Sequence, residues 1–167
     1  MRKTAALTLA VLALGLVLAD RANAQSSATA TSTASIVNGL QINKVNDLRF
    51  GFIIPTGTPG TVTVAPSGTR SATGGPAPTS GGAVGSASFD VNGTGTLHYG
   101  ITLPDSISIN DGSGHSMTVD SFVSTPSGTG QLAAGYQSLV VGATLHVAAG
   151  QAYGAYTGTF DVSVAYN

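Results

Sequence analysis

Between residues 25 and 167, three histidines, six aspartates and many serines have chemistry to offer. His98 stands between Leu97 and Tyr99, and His146 between Leu145 and Val147. In an extended chain each falls on the polar side of an alternating segment, which reads as a surface histidine. His115 follows Gly114 in a turn-rich stretch and reads the same way. The chain has no cysteine, so a zinc centre would need histidines and aspartates gathered from distant segments. Asp111-Gly112-Ser113-Gly114 has the loose outline of a calcium loop. Such loops take several oxygen ligands at fixed offsets, and here one carboxylate stands alone between Asp105 and Asp120, so a turn is the preferred reading. A Ser-His-Asp triad stays open, without a Gly-x-Ser-x-Gly elbow to present a nucleophile. Glutamate and tryptophan are absent, which leaves no support for a paired-carboxylate glycosidase. The expectation is a non-enzyme with no cofactor and no metal.

Arg49 and Arg70 are the other charged residues of interest. Arg49 alternates outward from Phe50, and Arg70 opens a long Gly- and Pro-rich stretch. Either a local ion pair with Asp47 or Asp90, or a contact in an assembly, would use them. Asn92-Gly93-Thr94 matches a glycosylation sequon and reads more simply as a turn. Lys44, Arg49 and Arg70 are the cations of residues 25–167, set against six aspartates. That balance argues against nucleic acid, which calls for clustered Lys and Arg, and against a basic membrane-surface patch.

The elements that carry these residues are strands. Tyr156, Phe160, Val162, Val164 and Tyr166 fall on alternate positions, with Thr157, Thr159, Asp161, Ser163 and Ala165 between them. This predicts a long terminal strand with one apolar face, and it is the candidate assembly strand. Upstream, alternation predicts strands over Ile36–Asn43, Leu48–Ile54, Gly60–Val64, Ala87–Val91 and Leu97–Leu103. Shorter ones are expected around Ile107–Ile109 and Met117–Phe122. Leu139–Val147 is interrupted by Gly142, which suggests a bend or bulge. Only Gln131 to Tyr136 suggests a helical turn. Ser67 to Gly85 reads as an irregular loop, with a turn and short strand around Gly68-Thr69-Arg70.

About nine short strands punctuated by Gly and Pro predict an all-β, immunoglobulin-like β-sandwich over residues 35–167. A β-solenoid is the rival, but no repeat of fixed period supports it. The expected core includes Phe50, Phe52, Phe89, Leu97, Tyr99, Val119, Leu145 and Phe160. The amino terminus reads as a cleaved secretory signal over residues 1–24. Arg2 and Lys3 precede an apolar run, and Ala22-Asn23-Ala24 precedes Gln25 as the first mature residue;. Residues 25–34 are small and polar, a flexible or donor-like tail. No later segment is apolar enough to span a membrane as a helix.

The ordered pieces Leu48-Arg49-Phe50-Gly51, Gly60 to Pro66, Gly68-Thr69-Arg70, Ala87 to Val91, Tyr99 to Pro104, Val141 to Leu145 and Gly154 to Tyr166 cover nearly all of the mature chain. Together they resemble the DUF4402 family of secreted bacterial proteins. The terminal strand is also similar to that of archaic chaperone–usher pilins with spore-coat-U-like subunits. It carries the penultimate aromatic Tyr166, and Gly154 is the fourteenth residue from the end. The resemblance implies no catalytic residue. It implies an exported structural or adhesive surface subunit assembling by β-strand addition. Its partners would be copies of itself or related subunits, with a periplasmic chaperone and an outer-membrane usher. The alternative is a secreted carbohydrate- or ligand-binding module using the Ser67–Gly85 loop.

Overall fold

The computed structural model describes residues 27–167, so the expected leader lies outside the described residues. Residues 27–39 are all exposed and carry no helix or strand. The chain divides at Ser35, and Ile36–Asn167 forms one unit.

The fold is all-β, built from one curled, half-barrel-like sheet and three smaller ones. The large sheet runs β1 (Gln41–Asn46), β8 (Ala87–Asn92), β13 (Tyr136–Val147), β11 (Ser116–Thr125), β10 (Ser106–Asn110). On the same sheet, β4 (Gly60–Val64) lies between β13 and β5 (Arg70–Gly74). A second sheet orders β12 (Thr129–Gln131), β9 (His98–Thr102) and β14 (Ser163–Tyr166). Two-residue ladders join β2 (Arg49–Phe50) to β7 (Val84–Gly85) and β3 (Ile53–Ile54) to β6 (Ala77–Pro78). Every pairing is antiparallel.

The organising strand is β13. Its first half pairs with β8 and its second with β4, and Gly142 stands where the partner changes. A Cβ there would run into the backbone of Val64, Ala65 and Pro66. The bend expected at this glycine is a close backbone crossing. In β11, Asp120 pairs with Thr144 but Val123 with Gly142, so one extra residue is inserted. Ser121 takes φ 51. The bulge inverts the parity, so that Val119 and Phe122 both turn inward;.

Two core clusters follow. Ala87, Phe89, Val91, Leu139 and Val141 of the large sheet pack against Tyr99 of β9 and Leu132, just past β12. Val62, Val119, Ala143, Leu145 and Val147 form the second. The first lies between two laddered sheets. The second is covered by Leu48, Phe50 and Ile53, which belong to the short ladders and their flanks.

Several expectations need correction. Fourteen strands, not about nine, occur among the described residues: Ser67–Gly85 contains β5, at the short strand expected near Arg70, together with β6 and β7, Leu48–Ile54 splits into β2 and β3, and β12 is not among the expected strands. The first strand starts at Gln41 rather than Ile36. Leu48–Ile54 is broken at Gly51, whose φ of 74 interrupts the extended chain;. Phe52 and Leu97 are exposed, at 64% and 39%, and are not core. Gln131–Tyr136 holds no helical turn. It ends β12 and closes a tight turn through Ala134 and Gly135, with mutual backbone bonds between Ala133 and Tyr136 of 2.9 and 3.1 Å.

The terminal strand is shorter than expected. Only Ser163–Tyr166 pairs with β9, and upstream of it Thr157 makes one bridge to Asn110. In-register continuation would set Thr157 opposite Ser108, so the pairing slips across the corner that holds Pro104. Proline has no N–H for a ladder. The alternation survives as facing: Tyr156, Phe160, Val162, Val164 and Tyr166 are half-buried and most residues between them are exposed.

Candidate strand-binding groove

Over the second cluster lies a groove of about 930 Å³. Its floor comes from adjacent strands of the large sheet: Ile107 and Ile109 of β10, Met117 and Val119 of β11, Leu145 and Val147 of β13. Period-two alternation aims these side chains to one face. Ile107, Ile109 and Met117 remain half-buried, whereas Val119, Leu145 and Val147 are buried. One wall is the Lys44–Pro55 stretch and the other Gln151–Phe160.

The second wall is poorly tied. From Gly158 to Val162 no strand pairs with the chain among the described residues. Thr157 and Asn110 exchange two backbone bonds of 2.9 Å. Gln151 Nε2 donates to the Tyr156 hydroxyl at 2.9 Å, and that hydroxyl donates to Ala152 O at 2.9 Å. Phe160 anchors the far end, its ring 5.0 Å from Phe122 and 6.3 Å from Phe89. The groove is therefore an apolar floor beside a backbone segment with unmatched strand pairing, the condition under which another strand adds.

Of the candidate assembly residues, Tyr156 and Phe160 line the groove. Val162, Val164 and Tyr166 pack on the first cluster instead. The Tyr166 hydroxyl accepts from Thr94 N at 2.8 Å and donates to Asn38 O at 3.2 Å. Arg49 sits at the rim, paired with Asp47 at 3.4 Å. Lys44 also bonds Asp47, and these two cations hold that carboxyl below its usual range. Arg70 makes none of the described ion pairs. Its guanidinium donates to Phe50 O and Thr79 O at 2.8 Å each and to Phe52 O at 3.3 Å.

The histidines sit at the surface, as expected, but two of them meet aspartates. His115 Nδ1 lies 2.6 Å from Asp111 and His146 Nε2 lies 2.9 Å from Asp120. Each histidine bond lowers its carboxyl's pKa. Asp111 also accepts from the backbone N–H of Ser113 and His115, at 2.8 and 3.1 Å. It closes its own turn. No group of three or more metal-ligating side chains occurs among the described residues. Nor does any helix there have the length and apolarity to cross a membrane.

Sequence reasoning missed the groove. Met117 reads as ordinary core and Ile107 and Ile109 as a short strand, and alternation does not reveal that the layer above them is incomplete. The Ser67–Gly85 stretch, the ligand face of the alternative reading, contributes only Gly82 and Ala83.

No curated protein and no solved structure matches the chain. Residues 40–166, which hold the groove and both core clusters, match DUF4402, a domain of unknown function, and the chain belongs to that family.

Proposed function

We propose that this is a non-catalytic, exported structural subunit of the cell surface, an immunoglobulin-like sandwich with one strand position left open for a neighbouring copy. The observation that carries this reading is the half-covered floor Ile107, Ile109 and Met117 beside the sparsely paired Gly158–Val162 backbone. The proposed occupant is the amino-terminal stretch of a second copy, residues 28–37. That stretch has no strand of its own, and Ile36 is 100% exposed. Ser32, Ala34 and Ile36 fall on one parity, so an inserted strand would aim Ile36 at the floor. Because β1 begins only at Gln41, donating Ile36 and Val37 leaves the donor's own sheet intact. β-Strand addition combines backbone bonds with burial of alternate side chains. The leader read in residues 1–24 supports export, to the periplasm, the cell surface or beyond, and surface placement is part of the proposal. A periplasmic chaperone and an usher are the partners such a subunit would need before its groove is filled.

The test is solution mass and unfolding midpoint of residues 25–167, with and without residues 25–37. The reading expects SDS-resistant multimers from the longer form and a less stable monomer from the shorter. Two equally stable monomers would overturn it. Saturable glycan binding by that monomer would favour a ligand-binding module instead.

A further inference from the structure

We infer that Arg70 is the positioning residue of the groove: its guanidinium pins the Phe50–Phe52 wall to the edge of the large sheet. The inference rests on the strand-accepting reading above. Arg70 is the first residue of β5, paired with Val64 of β4, and so belongs to the large sheet. The wall does not. β2 ladders only with β7, and β3 only with β6, through two residues each. Among the described side-chain hydrogen bonds, those of Arg70 are the ones that join Phe50–Phe52 to that sheet. Nη1 takes Phe50 O at 2.8 Å and Phe52 O at 3.3 Å, while Nη2 takes Thr79 O at 2.8 Å.

Gly51 makes the convergence of two carbonyls on one nitrogen attainable. Its φ of 74 lies in the left-handed region, and a Cβ there would stand 2.5 Å from Arg70 Nη1 and 2.6 Å from Val84 Cγ2. The rigid fork of guanidinium donors suits three acceptors held in fixed directions, and a lysine ammonium does not reproduce it. Charge-assisted bonds of this kind are roughly twice as strong as neutral ones.

The pin has a consequence for recognition. Arg70 donates to Phe50 O and Phe52 O, and Phe52 O also accepts from Thr79 N at 3.1 Å. An incoming strand therefore finds its backbone partners on the Gly158–Val162 side, and meets the Arg70-held wall through side chains.

The test uses residues 38–167, the form whose groove has no donor stretch to fill it and which keeps every strand, as wild type, R70Q, R70K and G51A. A labelled peptide of residues 27–40 serves as the probe, and amide exchange and the unfolding midpoint are read alongside. R70Q and G51A should speed exchange across residues 48–55 by about tenfold or more, and weaken peptide binding by about tenfold, beyond any shift in the midpoint. R70K should recover part of both, since an ammonium still reaches a carbonyl. Unchanged exchange over 48–55 in R70Q would overturn the pin. So would losses that only track global stability. If wild type fails to take up the peptide, the strand-accepting reading falls, and exchange alone decides whether Arg70 holds the wall.

Discussion

Phe160 stands edge-on to Phe89, ring centroids 6.3 Å apart and planes at 80°. On its other side Phe122 lies 5.0 Å away. The contact fastens the sparsely paired terminal segment to the large sheet just where the groove ends. Phe160 is half-buried, so Phe160→Ala should cost about 2–3 kcal/mol, below the roughly 3–5 of a fully buried ring. A double-mutant cycle with Phe122→Ala should return a coupling of about 0.5–1.5 kcal/mol. Denaturant unfolding measures both.

The tight turn leading from β12 to β13, closed by the Ala133–Tyr136 bridge, holds Ala134 at φ 52, followed by Gly135 at φ 85. An alanine in the left-handed region is strained, whereas Asn and Gly accept it. Ala134→Asn should stabilise the domain by about 0.5–1 kcal/mol. A lower unfolding midpoint would contradict this turn geometry.

Gly142 crosses the backbone of Val64 and Pro66 too closely for a Cβ. Gly142→Ala should cost about 1–3 kcal/mol, because backbone rather than a movable side chain must give way. Gly112, with nothing within 4 Å of an added Cβ but a φ of 73, provides the contrast. Its Ala variant should lose only the left-handed strain, about 1 kcal/mol.

Asp111, Asp120 and Asp47 all have lowered pKa values, from bonds to His115, to His146 and to Lys44 with Arg49. A carboxyl whose folded pKa lies below its unfolded value stabilises the fold above the unfolded pKa. That contribution is lost as pH falls through the folded pKa. Since the ordinary value is 3.8, the loss belongs below about pH 4. Replacing both Asp111 and Asp120 by Asn should flatten that acid limb in a plot of unfolding midpoint against pH. An unchanged limb would show that the His–Asp contacts carry no net stabilisation.

The sequence made the facing of side chains legible more readily than their pairing. Tyr156, Phe160, Val162, Val164 and Tyr166 turn inward as their alternation requires, because facing depends only on an extended chain. Their ladder could not be read, since it depends on a register slip at a corner distant in sequence. A short strand was legible near Arg70, where β5 begins, but the β6 and β7 ladders were hidden for another reason. Thr, Ser, Gly and Pro at sheet edges show no apolar period. Arg70 carried a signal of interest but not its use, because three backbone carbonyls leave no trace in residue type. Met117 and Ile109 were legible as inward-facing, but not as the floor of a groove.

The proposed assembly seats Ile36 of one copy on the groove floor of another. The chain lacks cysteine, which allows a direct measurement. Ile36→Cys protein is mixed with Ile109→Cys protein, oxidised and run on a non-reducing gel. A disulfide-linked heterodimer is expected, since the bridge requires Cβ atoms about 3.5–4.5 Å apart. Val45→Cys, at a position 53% exposed and outside the groove, should give little or none in place of Ile109→Cys. Equal cross-linking at Ile109 and Val45, or none at either, would contradict this assembly.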